Sequence, residues 1–204
     1  MCGIVGYVGS KKATPILIDG LYRLEYRGYD SSGIAIINDD NETIETVKEK
    51  GKIKQLVDRI DHSPSEGKIG IGHTRWATHG EPSAINAHPH LDEGKRFAIV
   101  HNGIFENFQE VRSELCREGY TFVSETDTEC AVHLIAKYYK GDLKQAVEKA
   151  VSALSGSFVI LAIALDDPDK IVAFKRSNPL VIGVGKKGNF VASDVSALLP
   201  YTKN

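Results

Sequence analysis

Cys2-Gly3-Ile4-Val5-Gly6-Tyr7-Val8 is an apolar, β-branched run directly behind Met1. Its composition predicts a buried strand, and its first residue is a thiol. Met1 is the only methionine in the sequence, and a small residue follows it, so loss of Met1 would expose Cys2 with a free α-amine. Such an amine has an unperturbed pKa of about 7.7–8.0, which leaves a usable fraction as free base near neutral pH. A thiol of pKa about 8.5 is a strong nucleophile once deprotonated. One residue can then carry nucleophile and base together. On its own, a Met-Cys start reads as a small buried apolar residue, so the decision rests on what lies further along.

Outward from that strand, Leu17, Leu21 and Leu24 recur at i, i+4, i+7 and predict a helix over 12–26. Gly33–Asn38 and Thr43–Lys48 flank a polar turn and predict a hairpin. A short helix follows over 53–60, then strands over 69–73 and 97–101. Between those strands, 74–96 holds Gly, Pro and His without a period, and long irregular stretches inside compact domains are often functional. Asn107 with Glu110, and Asp142 with Gln145, have the spacing of capping boxes. Asp127 stands before a helical run carrying Val132, Ile135, Ala136 and Tyr139. Strands are expected over 157–165, 170–175, 180–184 and 189–193, with links short enough for antiparallel pairing. Several are apolar on both faces, which requires covered sheets. The expectation is an α+β fold with mainly antiparallel sheets, two of them packed together and helices outside each.

Bulk composition narrows the classes. A chain of 204 residues fits one large domain or two small ones. With 42% hydrophobic and 25% charged residues it reads as a soluble globular protein. Net charge is -2 and basic residues adjoin only in the isolated pairs Lys11-Lys12, Lys95-Arg96, Lys175-Arg176 and Lys186-Lys187, which argues against a nucleic-acid partner. No secretory signal pattern opens the chain, and no apolar run approaches the ~20 residues of a membrane span. Three scattered cysteines do not suggest a disulfide framework, so a reducing, cytoplasmic setting is expected. The G-x-G-x-x-G at 183–188 leads into a strand rather than a helix, and reads as a hairpin turn. His73, His79, His88, His90 and His101 crowd together and keep a metal-dependent hydrolase open as the alternative class, although no H-E-x-x-H spacing occurs. No metal and no cofactor are expected. Cys116, Cys130, His62 and His133 read as structural, though Cys130 lies near a helix start, where a thiol pKa can fall.

Five further stretches turn the reading of Cys2. His73-Thr74-Arg75-Trp76-Ala77-Thr78-His79-Gly80, His101-Asn102-Gly103-Ile104 and Ser124-Glu125-Thr126-Asp127-Thr128-Glu129 follow the Cys2-Gly3-Ile4-Val5-Gly6 opening in order. Together they resemble the N-terminal-nucleophile glutamine amidotransferases. Leu24-Glu25-Tyr26-Arg27-Gly28-Tyr29-Asp30-Ser31 and Asn86-Ala87-His88-Pro89-His90 are similar to the branch of that family that makes glucosamine 6-phosphate. The resemblance covers essentially the whole chain. It implies a four-layer αββα sandwich, with residues 1–204 as one glutaminase domain and Cys2 as nucleophile.

The same resemblance assigns the site. Arg75 holds the α-carboxylate of L-glutamine, for which a guanidinium fork is suited; by itself it reads as a surface ion pair. Asp127 holds the α-ammonium, although Asp before a helix is an ordinary N-cap. The Asn102 side chain and the Gly103 N–H form the oxyanion hole, where a bare Asn-Gly would be a turn. Trp76, Thr78 and His79 belong to a loop closing over substrate, with Trp76 otherwise a core residue. Arg27 lies near the nucleophile or makes a structural salt bridge. The partners implied are L-glutamine, L-glutamate, and a C-terminal isomerase domain in a full-length, homo-oligomeric enzyme acting on fructose 6-phosphate. The end at Pro200-Tyr201-Thr202-Lys203-Asn204 is read as that of a separated domain. A non-catalytic glutamine sensor with the same pocket is the third reading.

Overall fold

A computed structural model describes residues 2–40, 42–60, 66–77 and 80–203. Alternation along the strands builds the architecture. In β1 (Gly3–Gly9), Val5 and Tyr7 point to one cluster of buried apolar side chains and Ile4 to another. β2 (Ser31–Ile37) repeats this, with Ile34 and Ile36 on one side and Ala35 and Ile37 on the other. β3 (Ile44–Lys50), β4 (Ile69–Arg75), β9 (Val181–Gly185) and β10 (Gly188–Ala192) complete a six-stranded sheet in the order β3-β2-β4-β1-β10-β9.

The second sheet runs β5-β6-β7-β8, from His90–Leu91, Phe97–Gly103, Phe158–Ala164 and Val172–Arg176. In β7, Phe158, Ile160 and Ala162 face one cluster, while Val159, Leu161 and Ile163 face the first sheet. Every strand pair is antiparallel.

Three apolar slabs follow. Helices α1 (Ala13–Leu24) and α2 (Ile53–Ile60) cover the outer face of the first sheet with Leu17, Leu21, Leu24, Ile53 and Leu56. Helices α3 (Phe108–Arg117), α4 (Thr128–Tyr138) and α5 (Leu143–Ser152) cover the second. The third slab lies between the sheets. The fold is the expected αββα sandwich, and strands apolar on both faces are its sequence consequence.

Local expectations fare unevenly. Asp142 caps α5 as its spacing predicts, accepting from the N–H groups of Lys144 and Gln145. Asn107 does not cap α3. Its amide instead donates to Ala153 O and accepts from Ser155 N, both at 2.9 Å, which ties the helix start to the segment before β7. β4 and β6 each run two residues past their predicted ends, and those extra residues include Arg75, Asn102 and Gly103. Gly183–Gly188 is the β9–β10 hairpin. His62, Thr78 and His79 lie outside the described residues.

Candidate active site

The start of β1, the ends of β4 and β6, and the start of α4 meet at one edge of the sandwich. Gly3 pairs with Thr74 in register, and the Thr74 hydroxyl accepts from Gly3 N at 3.1 Å. That puts Cys2 beside the Arg75–Trp76 end of β4. From the other sheet, Asn102 Nδ2 donates to Cys2 O at 3.0 Å. The result is a cavity of about 430 Å³, lined by Cys2, Arg27, Arg75, Trp76, Asn102, Gly103 and Asp127, together with His73, His88, His101 and Asn178. Its size lies in the range of small-ligand pockets.

Cys2 is half-buried. Its Sγ accepts from Trp76 N at 3.2 Å and lies 3.5 Å from Trp76 O. Burial pushes the thiol above its ordinary pKa, and the Trp76 N–H and the Arg75 charge oppose that shift only in part. A thiol in this position needs a base to become a nucleophile.

Arg75 is 4% exposed, which overturns the surface ion-pair reading. Its guanidinium donates to Gly80 O at 3.1 Å and Glu81 O at 3.4 Å, so it ties down the far side of the 76–80 stretch. Burial lowers its pKa, while Cys2, Asp127, Asp30 and Glu125 favour its charge.

Asp127 is equally buried, at 5% exposure, and its side chain makes no cap bond to α4. Oδ2 accepts from Phe105 N at 2.8 Å and Oδ1 from the Thr128 hydroxyl at 3.4 Å. The N-cap reading is corrected: the carboxylate turns off the helix towards the cavity, leaving acceptor capacity on Oδ1.

Asn102 and Gly103 are not a free turn. β6 continues through both, paired with Val159 and Phe158. Gly103 has φ +116°, and a Cβ there would lie 2.2 Å from Ser157 O, so only glycine fits. Asn178 donates to Asn102 O at 3.3 Å and braces this strand end.

Trp76 is 47% exposed, so it is not core; its ring meets Tyr29 edge-on at 5.7 Å. Arg27 binds Asp194 at 3.0 Å and also lines the cavity.

Sequence reasoning missed several contributors. Asp30 Oδ2 accepts from Ala77 N at 2.9 Å and anchors the stretch after Trp76. His73, His88 and His101 form a buried stack beneath the cavity, with His73–His88 ring centroids 4.2 Å apart and His88–His101 6.3 Å. Burial lowers His73 to about 3 and His88 and His90 well below their ordinary value, so these rings are neutral. His88 and His101 share the Thr128 hydroxyl, and His90 bonds that of Thr126. Among the described residues no group of three or more His, Cys, Asp or Glu is arranged to hold a metal ion. Cys130 is fully buried, in keeping with its structural reading, and burial pushes its thiol up to about 12, outweighing any effect of the helix start.

The arrangement offers an anion site, a cation site and a thiol beside amide donors, all on one cavity. A zwitterion with a reactive carbonyl matches that pattern of charge.

Comparison with known proteins agrees. Residues 73–200 match the family described as glutamine amidotransferase domain. The chain is similar along its whole length to glutamine–fructose-6-phosphate aminotransferase (isomerizing) of Clostridium perfringens, at 53% identity over 203 residues, covering 100% of this chain and 33% of the relative. For the protein of the same name from Aquifex aeolicus the identity is 54% over 203 residues, with 100% and 34% covered. The chain therefore spans about a third of the length of these relatives. Among solved structures, glutamine phosphoribosylpyrophosphate amidotransferase from B. subtilis superposes with a TM-score of 0.85 at 28% identity, over 98% of this chain and 44% of that one.

Proposed function

The chain belongs to the glutamine amidotransferase domain family, and from that premise we propose that it hydrolyses L-glutamine to L-glutamate and ammonia through Cys2. One observation carries this reading. Cys2, Arg75, Asn102, Gly103 and Asp127 come from four separate segments, yet they line a single cavity.

In this reading Arg75 takes the α-carboxylate of glutamine and Asp127 the α-ammonium, which presents the side-chain amide to Cys2. With Met1 removed, the Cys2 amine accepts the thiol proton, directly or through a water. The sulfur attacks the amide carbon, and the carbonyl oxygen becomes an oxyanion facing Asn102 Nδ2 and Gly103 N–H. Collapse breaks the C–N bond; the nitrogen takes the proton and leaves as ammonia, and a γ-glutamyl thioester remains. Water then attacks the thioester, glutamate leaves, and the thiol is restored. Each oxyanion donor contributes about 2.7–4 kcal/mol in such sites. Trp76 stands at the cavity edge, where it can cover the substrate, and Arg27 lines the same cavity.

Residues 1–204 make up one glutaminase domain in this reading. In a protein of the relatives' full length, a C-terminal isomerase domain would use the ammonia to convert fructose 6-phosphate to glucosamine 6-phosphate, within a cytoplasmic homo-oligomer. Among the described residues no helix is long and apolar enough to cross a membrane.

The test is glutamate release by Cys2→Ala, which should fall to background with the melting temperature retained. Full activity in that variant would overturn the assignment. Retention of Met1, verified by intact mass, should also inactivate, because the base is then an amide nitrogen.

A further inference from the structure

We infer that His73 is a positioning residue whose Nε2–H holds the Asn102 amide with its NH2 group, rather than its oxygen, towards the cavity. This rests on the proposed glutaminase reading and assigns a role that the reading leaves open: what orients the oxyanion donor.

An Asn side chain is nearly symmetric, and if flipped it would offer an acceptor to an oxyanion. Two backbone carbonyls remove the ambiguity here. His73 Nε2 lies 2.9 Å from His101 O, which can only accept, so Nε2 carries the proton. The same Nε2 lies 3.0 Å from Asn102 Oδ1. On the other side of the amide, Asn102 Nδ2 lies 3.0 Å from Cys2 O, again an obligate acceptor.

Flipping the amide would set a donor against the His73 N–H and an acceptor against Cys2 O. Both contacts would become repulsive together. His73 is fully buried and stacked on His88, so it cannot turn away. Its ring is neutral, and its remaining nitrogen, Nδ1, has no hydrogen-bond partner among the described residues. That fits a bare Nδ1 with the proton fixed on Nε2. Nδ2 spends one hydrogen on Cys2 O and keeps the second for the oxyanion.

Two variants separate the N–H from the ring. His73→Phe keeps an aromatic ring against His88 but removes the donor; His73→Gln loses the ring but restores an N–H near the Nε2 position. Glutamate release by His73→Phe should show kcat lowered about 10- to 100-fold, as for loss of part of an oxyanion donor. KM should stay within about twofold, because Arg75 and Asp127 are untouched. His73→Gln should recover kcat to within about threefold of the parent.

The decisive measurement is a double-mutant cycle with Asn102→Ala. If His73 acts through Asn102, His73→Phe costs nothing further in that background. An equal loss of kcat in both backgrounds, or full kcat in His73→Phe, overturns the inference. If His73→Phe does not fold, His73→Gln decides alone: near-parent kcat supports the assignment, and a loss as large as that of Asn102→Ala overturns it. Activity surviving in Cys2→Ala would instead sink the glutaminase reading itself, so the two failures are distinguishable.

Discussion

At the scale of single residues, the charges at Arg75 and Asp127 divide the work of recognition. Arg75→Lys keeps a cation but loses the planar fork that matches a carboxylate. A charge-assisted hydrogen bond contributes about 1.5–3 kcal/mol, so KM for glutamine should rise roughly tenfold or more. Asp127→Asn should raise KM similarly, because the α-ammonium loses its counter-charge. Steady-state glutamate release checks both, and an unchanged KM in either variant would remove that residue from the binding site. Cys2, Arg75 and Asn102-Gly103 were legible because their motifs stand in order along the chain. The side-chain direction of Asp127 was not, since position before a helix favours a cap and only the Phe105 N–H, 22 residues away, draws the carboxylate off. His73 was hidden for the same reason: its partner atoms lie 28 and 29 residues downstream in another sheet.

At the scale of elements, the two capping-box spacings give opposite outcomes, and this difference can be measured. Asp142→Ala removes a true cap and should cost about 1 kcal/mol, or about 2–4 °C in a domain of this size. Asn107→Ser is the sharper case. Serine is an equally good N-cap, so the change would be near neutral if Asn107 capped α3. Because the amide spans Ala153 O and Ser155 N instead, the shorter hydroxyl cannot reach both, and a loss of about 1–2 kcal/mol is expected. Thermal denaturation of the two variants decides it; a neutral Asn107→Ser would restore the capping reading. Strands and helices were otherwise readable, because alternation and helical spacing express burial on known faces. β5 was not, since two residues, His90 and Leu91, are too short to show a period. The ends of β4 and β6 were missed because polar His-Thr-Arg and His-Asn-Gly break the apolar pattern while the ladder continues.

At the scale of the whole molecule, the buried imidazoles set how stability responds to acid. His73 titrates at about 3, and His88 and His90 are likewise held far below their ordinary value, in each case chiefly by burial. The unfolded chain binds a proton at each near pH 6.5, while the folded chain does not until much lower. The unfolded state therefore holds more protons below about pH 6.5, and stability must fall as pH drops through that value. Each such group adds up to about 1.4 kcal/mol per pH unit to that slope, which counts against a total of about 5–15 kcal/mol. Glu129 acts in the same direction at lower pH. Burial alone would raise it, but the His133 ring 3.6 Å away and hydrogen bonds from the Ser124 hydroxyl and the Val123 and Ser124 N–H groups bring it down to about 2. Its contribution is complete above its ordinary pKa of about 4.5 and is lost as pH falls towards 2. The melting temperature should thus drop as pH falls below about 6.5, with net proton uptake on unfolding near pH 5, measurable by calorimetry in buffers of different ionisation enthalpy. His90→Gln, which can still meet the Thr126 hydroxyl, should reduce that uptake by about one proton. A melting temperature flat from pH 7 to 5 would mean that these buried imidazoles are not held neutral.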